Sequence, residues 1–165
     1  MDRSIAELIA ALCEKGVLID QLKGLLKEEQ ECMLSLDLAR MEENQQEIAA
    51  GMERLGLLSE RCREMIGSIG DRMGIAGNST LSPIIERLGA PERQALSEAQ
   101  ATVGADAEAL KGALALHRRL IQDSLNVVGR SVGFFNRLFN PGDTYGMAGS
   151  LVTRRGGSNF VSKEI

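Results

Sequence analysis

From Ile5 to Phe139, apolar residues return every three, four or seven positions, and a chain with that period folds as packed helices. Ile5, Leu8, Leu12, Ile19, Leu22, Leu26 and Met33 form one face of a first helix. A partial second face through Ile9, Leu18 and Leu25 lets that helix touch more than one neighbour. Aromatic residues are only 3% of the chain and tryptophan is absent, so the core must come from Leu, Ile, Ala, Met and Val. The fold class expected is all-α.

Local signals place the breaks. Ser4-x-x-Glu7 has capping-box spacing and predicts a first helix over about 4–34. Ser35-Leu36-Asp37 reads as a short break, with Asp37 the N-cap of a second helix over 38–69. The second stripe is Met41, Ile48, Met52, Leu55, Cys62, Met65, Ile66 and Ile69. So short a connection predicts a long antiparallel hairpin. Gly70–Thr80 has loop composition, and Ser82-Pro83 starts a short helix over 82–88. Gly89-Ala90-Pro91 opens the longest helix, 91–138, expected to run unbroken through Gly104. Its stripe passes through Leu96, Val103, Leu110, Leu114, Ile121 and Leu125 to Phe139. Glycines inside helices cost ~1 kcal/mol each relative to Ala. Gly16, Gly24, Gly51 and Gly56 are expected where helices approach closely. Gly129 and Gly133 fit either close approach or a helix end soft enough to remodel around a partner.

The period stops at Asn140. Pro141 cannot continue a helix, and five glycines follow it. The chain therefore reads as a helical body, 1–139, and a Gly-rich tail, 140–165, that is expected to be flexible.

Composition narrows the function. A net charge of −4 argues against nucleic acid, which calls for a basic face. Cys13, Cys32 and Cys62 are far apart and match no zinc spacing, so they read as reduced thiols in a cytosolic protein. The N-terminal apolar run is short and cut by Glu14 and Lys15, unlike a secretory signal, and no window approaches the ~20 apolar residues of a membrane span. Neither a metal nor another cofactor is expected. His117 is the only histidine, which leaves a Ser/His/Asp or Cys/His arrangement unsupported. A histidine phosphotransfer domain would need that imidazole in solvent. Its place between Leu114 and Ile121 reads instead as the edge of a helix seam. Glu28, Glu29, Glu31, Glu42, Glu43 and Glu47 read as a solvated face around the hairpin turn.

The segment from Leu116 to Phe139 holds three of the four phenylalanines and pairs Leu120 with Ile121, Val127 with Val128, and Phe134 with Phe135. Only one stripe can face a three-helix core. The surplus either buries against a tightly wrapped hairpin or awaits a partner. A coiled-coil scaffold that self-associates through these stripes is the alternative to a partner-binding protein.

In the tail, Tyr145-Gly146-x-x-Gly149 followed by Arg155-Gly156-Gly157 resembles the C-terminus of the flagellar export chaperone family FlgN. The likeness extends in pattern to Leu25–Ile48 and Leu116–Val128. The resemblance implies a cytoplasmic, non-enzymatic escort for the hook–filament junction proteins FlgK and FlgL. It places Leu120, Ile121, Leu125, Val128, Val132, Phe135 and Phe139 on a client-binding helix, and Tyr145, with Gly146 and Gly149 around it, on the export gate protein FlhA. A homodimer is compatible with it. His117, Arg118 and Arg119 stand where the family often shows asparagines, which bears on client preference.

Overall fold

The computed structural model describes residues 2–75 and 80–139, and the backbone of 143–145 and 151–153. The chain divides into two units, Met1–His117 and Arg118–Ile165. The helices are α1 (Arg3–Ser35), α2 (Leu38–Arg72), α3 (Ser82–Arg87) and α4 (Ala90–Phe139), the last contributing to both units.

In the first unit α1 and α2 form the expected antiparallel hairpin. Glu29 meets Gln45 at the turn end, Leu22 meets Gly51 in the middle, and Asp2 meets Arg72 at the open end. α4 runs parallel to α1. The Asp2 amide donates to Glu92, Val103 and Asp106 lie over Gly16, Lys23 faces Asp106 at 3.8 Å, and His117 reaches Glu29. The result is an up-down-up bundle whose third helix crosses Gly104 without a break.

The core is centred on α1. Ile5, Leu8, Leu12, Ile19, Leu22 and Leu26 are buried, joined by Leu58, Cys62, Ile66 and Ile69 from α2 and by Leu96, Val103 and Leu110 from α4. Each such side chain contributes about 1.5–3 kcal/mol on burial. Leu81, Ile84 and Leu88 around α3 close the open end of the bundle. Met33, at the end of the α1 stripe, is only half-buried; on α2, Met41 and Ile48 are half-buried and Met52 is exposed, so that stripe is patchier than its period predicts. Cys32 and Cys62 are buried free thiols, and burial pushes both up from the ordinary thiol range; Cys13 is exposed.

Several local expectations change. The N-cap of α1 is Asp2, whose Oδ1 accepts from the Ser4 amide at 3.0 Å. The Ser4–Glu7 capping box does not form, because Glu7 pairs with Arg3 at 2.9 Å. Ser82 lies inside α3 after Leu81, with no side-chain cap. Asp37 does cap α2, accepting from the Arg40 amide at 3.1 Å. The two hairpin helices end in similar turns with different residues. After α2, Gly74 takes the left-handed conformation (φ 65°), and the Ile75 amide returns to the Gly70 carbonyl at 2.9 Å. After α1, Leu36 takes it (φ 57°), and the Asp37 amide returns to the Cys32 carbonyl at 3.0 Å. Glycine suits that conformation; a side chain there costs about 1–2 kcal/mol.

Of the four helix glycines expected at close contacts, Gly51 fits best: a Cβ there would stand 2.7 Å from Leu22 Cδ2. Gly16 is in ordinary contact with α4, while Gly24 and Gly56 face open space. The space beside Gly129 and Gly133 is also open, so close approach does not account for them.

The acidic run around the turn is not uniformly solvated. Glu29 is 1% exposed. Its Oε1 accepts from Gln45 Nε2 at 3.1 Å, and its Oε2 lies 3.3 Å from His117 Nε2. Asn44, the next most notable buried polar residue, is fully enclosed. On α4 the buried seam steps by sevens through Leu96, Val103 and Leu110 to His117, so the histidine occupies the last position of the core stripe.

In the second unit α4 continues to Phe139. Beyond it the described backbone forms two three-residue strands, β1 (Asp143–Tyr145) and β2 (Leu151–Thr153), paired antiparallel with Tyr145 opposite Leu151. The sequence predicts no strand there. The rest of the tail lies outside the described residues.

Two stability predictions follow from this packing. Gly56→Ala should stabilise the protein by about 1 kcal/mol, whereas Gly51→Ala should destabilise it by about 1–2 kcal/mol because buried Leu22 must move; urea unfolding of both variants checks the opposite signs. His117→Leu should cost about 3 kcal/mol by depriving a buried carboxylate of its partner, and Glu29→Leu combined with His117→Leu should recover most of that loss. Thermal melts of the single and double variants measure the recovery.

Candidate partner-binding surface

α4 beyond His117 keeps its apolar character after the core has ended. At 3.6 residues per turn, Ile121, Leu125, Val128, Val132, Phe135 and Phe139 fall on one stripe, and Leu120, Val127, Phe134 and Leu138 on a second beside it. Ser124 and Ser131 lie between them, and the apolar arc spans roughly 180°. Leu120 and Ile121 are half-buried. The other apolar residues of both stripes are exposed, from Val132 at 52% to Val127 at 62%. The sequence alone left open whether this surplus is buried; beyond Ile121 it is exposed.

The aromatic end of this surface is ordered by ring contacts. Phe134 and Phe135 meet edge-to-face with centroids 5.7 Å apart, and Phe135 stacks on Phe139 at 6.1 Å. Both geometries are favourable for rings and hold the three side chains as one patch. A contiguous apolar area of this kind on a helix marks an interaction site. The polar side of the same segment is basic: Arg118, Arg119, Arg130 and Arg137 stand against one carboxylate, Asp123. Arg119 pairs with Asp123 at 3.9 Å, and Arg137 Nε donates to the Gly133 carbonyl at 3.2 Å.

Seven residues were expected on a client-binding helix. All seven lie on α4, and five of them (Leu125, Val128, Val132, Phe135 and Phe139) are well exposed. The second stripe, with Val127, Phe134 and Leu138, adds to the same surface; the adjacent apolar pairs in the sequence were the signal for it. Of the tail residues, Tyr145 ends β1, while Gly146 and Gly149 lie outside the described residues.

Among the described residues, no group of three His, Cys, Asp or Glu could hold a metal ion. The His117 imidazole is 13% exposed and turned onto Glu29, the reverse of what a phosphate-accepting histidine needs. No described helix is long and apolar enough to cross a membrane.

A family model described as FlgN protein matches residues 1–153, which takes in the whole helical body and Tyr145-Gly146-x-x-Gly149 but not Arg155-Gly156-Gly157. No curated protein and no solved structure gives a match. With all but the last residues of the chain matched, the protein belongs to the FlgN family, and its general role is that of a flagellar export chaperone.

Proposed function

We propose that the exposed apolar face of α4 beyond His117 is the client grip, and that it holds the C-terminal helical segments of the hook–filament junction proteins FlgK and FlgL in the cytoplasm before export. The observation that carries this reading is the double stripe from Leu125 to Phe139, exposed along its length on the part of α4 that follows its buried seam. Such clients carry apolar terminal segments that polymerise only after export. An amphipathic client helix laid along the stripes removes both surfaces from water. Bound and free client exchange by mass action, so the escort needs neither nucleotide nor covalent step. Leu120 and Ile121, half-buried, form the N-terminal end of the grip.

The tail serves a second contact in this reading. Tyr145 docks on the export gate protein FlhA, with Gly146 and Gly149 allowing the chain to turn around it. Tyrosine supplies a large amphipathic anchor with only two side-chain torsions to fix. Separating the two contacts along the chain lets one molecule hold a client while presenting it to the gate.

Two measurements test the division of labour. Val128→Asp combined with Phe135→Asp should weaken client binding by roughly a hundredfold or more, with helix content unchanged because both side chains face solvent. Calorimetry with purified FlgK or FlgL and a circular dichroism spectrum give the two readouts, and normal affinity would remove the grip from α4. Tyr145→Ala should leave client affinity unchanged and weaken docking on the cytoplasmic domain of FlhA by roughly tenfold or more. Equal losses on both partners would mean that grip and dock are one surface.

A further inference from the structure

The two edges of the grip on α4 are unlike. At 3.6 residues per turn, Arg119, Arg130 and Arg137 fall within about 20° of one line, which borders the stripe of Leu120, Val127, Phe134 and Leu138. The border of the other stripe holds Gln122, Gly129, Gly133 and Asn136, with Arg118 its one charged residue. All four arginines are exposed. Asp123 is the only carboxylate of the segment, and its 3.9 Å contact with Arg119 joins two side chains that are mostly in solvent. Such a contact holds weakly. Arg137 gives its Nε–H to the Gly133 carbonyl, and among the described residues neither it nor Arg130 meets a carboxylate.

The three arginines of that line are spaced for a helix. Eleven positions separate Arg119 from Arg130 and seven separate Arg130 from Arg137, about 16 Å and 10 Å along the axis. Both intervals lie within about 20° of whole turns, so one edge of an opposing helix repeats its side chains at the same distances. A bilayer surface, by contrast, meets both edges of a helix alike and calls for bases along each. Here one edge is cationic and the other, past Arg118, is amide and glycine.

We propose that Arg119, Arg130 and Arg137 select the client: the grip takes an amphipathic helix whose apolar face is bordered on one side by carboxylates at matching intervals. The stripes supply the hold, and the arginine edge rejects apolar helices bordered by bases, which it repels. Because only one edge is cationic, an acidic border on one side of the client also sets whether its helix lies parallel or antiparallel to α4. This assignment rests on the client grip proposed above and adds the chemistry by which that grip discriminates.

Two synthetic helical peptides that share one apolar face test it on the full chain. One carries Glu at three positions of a single edge, at the intervals of the arginines; the other carries Lys there. The Glu peptide should bind roughly tenfold tighter or more by calorimetry, with a dissociation constant that rises with salt. A variant with Arg119→Glu, Arg130→Glu and Arg137→Glu should reverse that order and should weaken FlgK and FlgL binding by roughly tenfold or more, with an unchanged circular dichroism spectrum. Equal affinities for the two peptides, an order that the variant fails to reverse, or undiminished binding of FlgK and FlgL overturns the proposal. Flotation with vesicles of equal parts phosphatidylglycerol and phosphatidylcholine is measured in parallel. Arginine-dependent flotation, with client affinity indifferent to the arginines, would make the edge a lipid contact and overturn it too. Failure of the edge and failure of the grip are told apart by Val128→Asp with Phe135→Asp. If that pair loses the client and the arginine variant does not, the edge assignment falls and the grip stands; if neither loses it, both fall.

Discussion

Burial of one helix organises the first unit. α1 places Ile5, Leu8, Leu12, Ile19, Leu22 and Leu26 in the core, and both long neighbours take their places from it. α2 lies against it antiparallel, close enough at Gly51 for Leu22 to fill the space of a missing Cβ. α4 lies against it in the parallel sense, over Gly16. α2 buries its apolar stripe only from Leu58 to Ile69. α4 buries only Leu96, Val103 and Leu110. Without the apolar faces of α1, the glycine-containing helices beside it would lack the tertiary packing that sustains them.

The end of that packing matters as much as its middle. The seven-residue seam of α4 passes from Leu110 to His117 and then to Ser124 and Ser131. At the first of these polar positions, His117 meets Glu29, itself held by Gln45. A buried histidine–carboxylate contact adds little net stability over an apolar pair but tolerates no substitute partner. It therefore fixes which residues of α1 and α4 face each other. Beyond it the seam offers no apolar knob, although the helix continues for six further turns. The apolar residues there lie on other lines of the helix and remain in solvent, and that surplus is the raw material of the grip.

The same logic makes the exposed surface functional and hazardous. Stripes that hold a client helix must be apolar enough to replace water, and stripes of that kind attract other helices too. Basic residues behind the stripes, Arg119, Arg130 and Arg137, give the surface a preference for partners with acidic flanks. Selectivity among apolar helices can rest on such flanking charge because the stripes themselves distinguish poorly between leucine-rich partners.

Much of this was legible in the residues. The apolar period, Asp37 as a cap, the short turn before it and the unbroken run through Gly104 are local properties, set by backbone hydrogen bonding and side-chain spacing within a few residues. The surplus of apolar stripes from Leu116 onward was also countable. Three features were not local. Glu29 looked like its solvated neighbours, since nothing within one turn of it announces His117 eighty-eight positions away. Ser4 had the right spacing for a cap, but Asp2 was better placed and Arg3 took Glu7. Gly24 and Gly56 resemble Gly51 in sequence, yet only the crossing with Leu22 makes one of them a contact. The sequence by itself determined that the chain is helical, where the helices break, and that α4 carries more apolar surface than one core can use. Only the tertiary structure decided which of that surface is left uncovered, because burial depends on where three helices stop facing each other, and that is fixed by contacts between residues far apart in the chain.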